Sequence, residues 1–341
     1  MREYFPGLVG NGRLCARLGR EIEDGRLGHA YLLAGPPGSG KHTLARQIAA
    51  ALACEAEEAG ALPCGQCASC RSILEDRDPD VITVSRGERA TLGVEQLRGV
   101  MEELYVAPNW HDDKIYIIED AQTMTVQAQN ALLIALEEPP RHVRFLLLCT
   151  EPEAMLETIR SRAPMLRMAY IPPELMREQL VKTERRAAQL AEAEPDAFAA
   201  VTLAADGCIG EAMTLLDARR RKPILTRRES AANFLRLCAG RHGAGEVLAA
   251  LATLPQKRDE VSELLGLVSL GARDLLAVKR APDARLCFYT DRAAAEEAAN
   301  GMSVQALLRL TEAIETARVS LSRNANLRIT MLTLAQSAGL L

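Results

Sequence analysis

Three groups of residues have the types and spacing to do chemistry. The first, Gly35-Pro36-Pro37-Gly38-Ser39-Gly40-Lys41-His42, lies between an apolar run and a helix-period segment, the setting in which a glycine-rich turn cradles phosphate. Glycines let the loop's amides face an anion, the start of the following helix adds a favourable field, and Lys41 would meet phosphate oxygens. The next position should carry a hydroxyl for magnesium, yet it is His42. Thr43 cannot replace that hydroxyl, because one step along a helix turns the side chain by roughly 100°.

The second group ends an apolar run, Ile117-Ile118-Glu119-Asp120. An active phosphate-loop ATPase carries Asp-Glu there, one acid for magnesium and one for the attacking water. The reversed order changes each reach by about one methylene, and misplacement on the order of 1 Å can lower a rate ~100-fold. The plainer alternative is two solvated acids at a strand end. Binding of ATP or ADP stays open, whereas hydrolysis is expected to be weak or absent.

The third group is Cys54, Cys64, Cys67 and Cys70, four of nine cysteines within seventeen residues. Disulfides are not expected in a reducing compartment, so a local cluster points to metal. The spacing C-x9-C-x2-C-x2-C brings two tight turns and a helix end around one point, and four thiolates suit tetrahedral zinc at about 2.3 Å. A closed set of four ligands implies a structural ion. The alternative, buried free thiols, has no helical face to pack on in this loop.

The elements that must position these groups follow from the apolar pattern. Unbroken runs at Ala30–Ala34, 81–84, 114–118, 144–148 and 165–168 alternate with helix-period segments at 43–54, 94–104 and 126–137. Such strands belong to a parallel sheet covered on both faces. Beyond Ile171-Pro172-Pro173 only helical periodicity remains. The expected fold is therefore α/β followed by all-α, with a parallel-sheet domain over 1–171, a small helical unit over 172–217 and a larger helical domain over 218–341. The stretch with Pro223 reads as a linker. Leu307, Leu308, Leu310, Ile314, Ala317 and Leu321 read as one stripe of a bundle core.

The chain of 341 residues is 48% hydrophobic and 25% charged, with a formal net charge of −4. These values describe a folded globular protein and argue against one that coats nucleic acid through bulk attraction. Arg219, Arg220, Arg221, Lys222, Arg227, Arg228, Arg236 and Arg241 form a local basic stretch, most simply a solvated helical face. Met1-Arg2-Glu3-Tyr4-Phe5-Pro6 lacks the apolar core of a secretory signal, and no run approaches a membrane span of about 20 residues. A cytoplasmic location without membrane association is expected.

Taken together, the motifs resemble the clamp-loader branch of the AAA+ family. The likeness runs from Gly7-Leu8-Val9-Gly10-Asn11 through His29-Ala30-Tyr31-Leu32-Leu33, the phosphate loop, the four cysteines and Thr91-Leu92-Gly93-Val94. It continues through Asn130-Ala131-Leu132-Leu133 and Leu136-Glu137-Glu138-Pro139-Pro140 to Ser161-Arg162. The resemblance implies a RecA-like AAA+ domain, a helical lid and a C-terminal helical collar closing a hetero-pentameric ring. The implied partners are the gamma/tau and delta subunits of DNA polymerase III and, through the complex, the sliding clamp and primer-template DNA. It also implies that Arg162 is an arginine finger donated to a neighbouring ATP site; Arg160, two residues earlier, points to a different side of a helix and is not expected to substitute. Where the hydrolysing members carry a lid arginine, this chain has Gly210; where they carry a cysteine after the finger, it has Ala163.

Two other readings compete with a non-hydrolysing, finger-donating subunit. An active gamma/tau-like motor would hydrolyse ATP as the isolated chain. A zinc-dependent DNA-binding module would interleave basic and aromatic residues near the metal, but that region carries Glu55, Glu57 and Glu58 and no aromatic residue.

Overall fold

The computed structural model describes residues 2–56, 60–240, 242–281 and 283–341; Met1, Glu57, Glu58, Ala59, Arg241 and Pro282 lie outside the described residues. The chain divides into two compact units, Met1–Gln179 with Asp206–Glu211, and Leu180–Ala205 with Ala212–Leu341. Residues 172–217 are thus shared between the two.

In chain order the first unit begins with β1 (Glu3–Tyr4), α1 (Gly12–Glu23), β2 (Ala30–Ala34), α2 (Lys41–Leu52), β3 (Ala61–Leu62) and α3 (Ala68–Leu74). It goes on through β4 (Val81–Val84), α4 (Val94–Glu103), β5 (Lys114–Ile118), α5 (Val126–Glu137), β6 (Val143–Cys149), α6 (Glu157–Arg162) and β7 (Met165–Arg167). Every strand expected from an apolar run is present, with β6 one residue longer at each end and β7 ending one residue earlier.

Five strands form one parallel sheet in the order β4-β5-β6-β2-β7. Successive side chains alternate between its faces. Leu32, Tyr116, Ile118, Phe145 and Leu147 pack with Leu97 of α4, Leu132 of α5 and Ile159 of α6. Tyr31, Leu33, Ile117, Leu146 and Leu148 pack on the opposite side with Leu18 of α1, Leu44 and Ile48 of α2, and Ile73 of α3. Burial on both faces is why these strands are uninterrupted apolar runs. β1 and β3 form a separate two-stranded pairing.

The remaining elements are helices: α7 (Pro173–Thr183), α8 (Arg185–Ala193), α9 (Pro195–Ala204), α10 (Ile209–Leu215), α11 (Ala218–Ala239), α12 (Ala244–Ala252), α13 (Arg258–Arg280), α14 (Arg292–Asn300), α15 (Val304–Ser322) and α16 (Leu327–Ser337). In the second unit Leu307, Leu310, Ile314, Ala317 and Leu321 of α15 are buried with Leu235, Val261, Leu264, Leu265, Val268 and Leu334, while Leu308 is exposed.

The linker expected around Pro223 is instead the start of a 22-residue helix, α11. Asp217 caps it by accepting the amides of Arg219 and Arg220 at 2.8 and 3.3 Å, and the proline removes one ladder bond near an end that is already well capped. Arg228 also departs from the solvated basic face. It is buried, donates to the Phe288 carbonyl, and stacks 4.9 Å from the Phe288 ring centroid. No described helix is long and apolar enough to cross a membrane.

Candidate functional site

α2 starts at Lys41, and its two ends carry the two principal candidate groups. At its N-terminal end the chain leaves β2 through the phosphate loop. Gly38 and Gly40 have φ of +72° and +90°, a left-handed conformation open to glycine at little cost. Gly40 caps the N-terminus of α2. Lys41 folds over the loop, its Nζ donating to the carbonyls of Gly35 and Pro36 at 2.7 and 2.8 Å. Burial lowers its pKa, and the Asp120 carboxylate works against that shift. The loop, Lys41 and the strand-end acids therefore come together as the pattern requires.

The ion-binding positions are arranged differently. His42 Nε2 lies 2.7 Å from Glu119 Oε1, each side chain 35% exposed. Asp120 has a left-handed backbone, φ 47°, and its Oδ2 lies 3.5 Å from Nε of Arg86. Gly210 lies against the loop, donating its amide to the Gly38 carbonyl at 2.9 Å. A Cβ at 210 would stand 2.9 Å from Gly38 Cα.

At the other end of α2 the four cysteines converge. Their sulfurs all lie within 4.8 Å of one another, and Cys64 Sγ is 3.8 Å from Cys70 Sγ. Sulfurs at about 2.3 Å around a tetrahedral ion are about 3.8 Å apart, so the four can hold one such ion. The sequence places them there through local turns. Gln66 and Cys67 donate their amides to Cys64 Sγ at 3.4 and 3.3 Å, and Cys67 starts α3 by accepting the Cys70 amide at 3.4 Å. The amides of Cys67 and Gln66 pull the Cys64 thiol down to about 6, whereas burial pushes Cys70 up.

Pro152–Ala154 forms a 3-10 turn, and Arg162 is the last residue of α6. Its guanidinium reaches Glu137 Oε1 of α5 at 2.8 Å and keeps 37% of its side chain exposed. Nη1 also donates to the Thr158 carbonyl at 3.2 Å.

One group escaped the reading of the sequence. Asp78, Asp80 and His111 place ligand-type atoms within 4.8 Å of one another. Asp80 is fully buried and accepts the amides of Asn109, Trp110 and His111 at 2.6, 2.6 and 3.1 Å. His111 Nε2 lies 2.9 Å from Asp78 Oδ2. Burial raises the Asp80 carboxyl, but the three amides prevail and hold it below the ordinary range. This group is a clamp on the turn that enters β5, with its bonding capacity already used. Its signal was faint: an Asp-Pro-Asp turn some thirty residues from its partners.

A parallel sheet with a phosphate loop after the interior strand β2, acids after β5 on the far side of β6, and helices beyond defines a RecA-like AAA+ domain followed by a helical region. Residues 10–172 match the family described as DNA polymerase III, delta subunit. The chain is 35% identical over 217 residues to the DNA polymerase III subunit tau of Salmonella typhimurium, covering 63% of this chain and 33% of that protein. It is 36% identical over 185 residues to the gamma/tau subunit of Mycobacterium tuberculosis, covering 53% and 32%. These matches make the α/β domain similar to clamp-loader subunits of DNA polymerase III, the gamma/tau subunits among them. The chain spans about a third of the length of these curated relatives. A solved gamma subunit-related protein from Thermotoga maritima aligns with 95% of this chain and 98% of its own, at 19% identity and a TM-score of 0.43.

Proposed function

We propose that the chain is a delta-prime-type subunit of a clamp loader: a stator that does not hydrolyse ATP, carries one structural zinc ion, and donates Arg162 to the ATP site of a neighbouring subunit. In this reading 172–217 acts as the lid and 218–341 as the collar of a hetero-pentameric ring with gamma/tau and delta subunits, serving the sliding clamp on primer-template DNA in the cytoplasm. The carrying observation is the His42–Glu119 contact. It ties one of the two strand-end acids to the imidazole that stands where hydrolysis needs a magnesium-holding hydroxyl, while Arg162 at the end of α6 remains partly exposed.

The donated role requires Arg162 to exchange Glu137 for a γ-phosphate. That exchange is favourable where charge builds up, and such fingers contribute ~10³ to 10⁵ in rate. Replacing Arg162 by Ala in the assembled loader should leave folding, zinc content and assembly unaltered while lowering DNA-stimulated ATP hydrolysis by the share of one site. Lys should not rescue it, because an ammonium lacks the planar fork. Unchanged hydrolysis and clamp loading would remove the finger role and leave Arg162–Glu137 as an internal ion pair.

A second reading, an active gamma/tau-like motor, is favoured by the identity to gamma/tau subunits. Steady ATP hydrolysis by the pure chain would establish it over the stator.

A further inference from the structure

The phosphate-holding and the ion-holding parts of the loop have come apart. The first is intact, with Gly38 and Gly40 in the required backbone conformation, Lys41 over the loop, and the twelve-residue helix α2 capped by Gly40. The second is not. Magnesium demands oxygen ligands in near-octahedral geometry at about 2.0–2.1 Å and gives up its water reluctantly. Position 42 offers an imidazole in place of the hydroxyl, and that imidazole lies 2.7 Å from the Glu119 carboxylate. A protonated His42 would repel a divalent ion. A neutral His42 that donates from Nε2 to Glu119 occupies the carboxylate lone pair the ion would use. The remaining acid, Asp120, faces Arg86 at 3.5 Å.

We propose that this loop binds a nucleoside di- or triphosphate without magnesium, the His42–Glu119 pair taking the place that the hydrated ion holds in a hydrolysing site. The proposal rests on reading the loop as a nucleotide site. It gives the chain an occupancy indifferent to magnesium, and it makes His42 a determinant of the cofactor requirement.

The test uses the full zinc-loaded chain and fluorescent ADP and ATP analogues, titrated in magnesium buffer and in buffer stripped of magnesium, with zinc content checked in both. The expected result is a Kd that agrees within about twofold between the two buffers. In the triple variant His42→Thr, Glu119→Asp, Asp120→Glu, verified as folded by circular dichroism, magnesium should tighten binding by about tenfold or more. Tightening of that size in the unaltered chain would overturn the proposal while leaving the loop a nucleotide site. No binding in either buffer would overturn both. The measurement on the unaltered chain decides the matter even if the variant fails to fold.

Discussion

The two ends of α2 present metal-binding side chains in opposite states of readiness. At the N-terminal end His42 and Glu119 lie within hydrogen-bonding distance of each other, and Lys41 is turned onto the loop's own carbonyls. At the C-terminal end four sulfurs face one another, with weak amide donors and one thiol contact, Cys70 Sγ to the Ala50 carbonyl at 3.5 Å, as their partners. The ligand types alone do not separate the two. What separates them is whether the groups have already found partners. Carboxylate and imidazole complement each other, whereas thiolates repel and need a cation among them.

The most damaging way to break this contrast is at the sulfur end. Cys64→Ser or Cys70→Ser should lower bound zinc from one ion per chain to none and lower stability by on the order of 3–5 kcal/mol. Metal analysis and a denaturant midpoint would read both. Full zinc retention in both variants would mean that the cluster is not the ligand set.

Next in size is the Asp78, Asp80 and His111 group, a second place where ligand types already bond to each other. Supplying excess zinc should leave the stoichiometry at one ion. Asp80→Ala should lower stability by about 2–4 kcal/mol, since it strands buried amides of the 109–111 turn. The sign with pH follows from a depressed carboxyl. The contribution is fully present above the unfolded value of about 4 and is lost as pH falls below it toward the folded value. Acid unfolding monitored by circular dichroism should therefore begin at higher pH in the natural protein than its neutral-pH stability alone implies, and Asp80→Ala should flatten that limb.

The smallest effect is expected at the other end of α2. Lys41→Ala should abolish the binding of fluorescent nucleotide yet leave clamp loading by an assembled loader within about twofold of normal. A collapse of loading with folding intact would place energy-dependent work at a loop whose ion-holding groups are engaged elsewhere.

The sheet was legible because burial on two faces writes itself into the sequence as unbroken apolar runs; Val81–Val84 and Lys114–Ile118 fall where those runs do. β1 and β3 were not, since two residues each give no periodicity. Pro223 misled because a proline among basic residues reads as a break, and only the Asp217 cap shows the helix to be well begun. In the candidate site each member was legible singly: Lys41, His42, Glu119, Asp120 and the four cysteines. The bonds between members were not. The His42–Glu119 contact depends on where the chain leaving β5 delivers its next side chain relative to α2, and the Asp80 clamp on the adjacency of β4 and β5.

The contact of Gly210 with the phosphate loop bears on the history open to such a chain. A variant that acquired a threonine at 42 and the Asp-Glu order would still lack a basic side chain at 210, and any Cβ there would stand 2.9 Å from Gly38 Cα and 3.1 Å from its carbonyl oxygen. The loop would have to retreat before the arginine could arrive, and until it arrives that retreat brings no advantage.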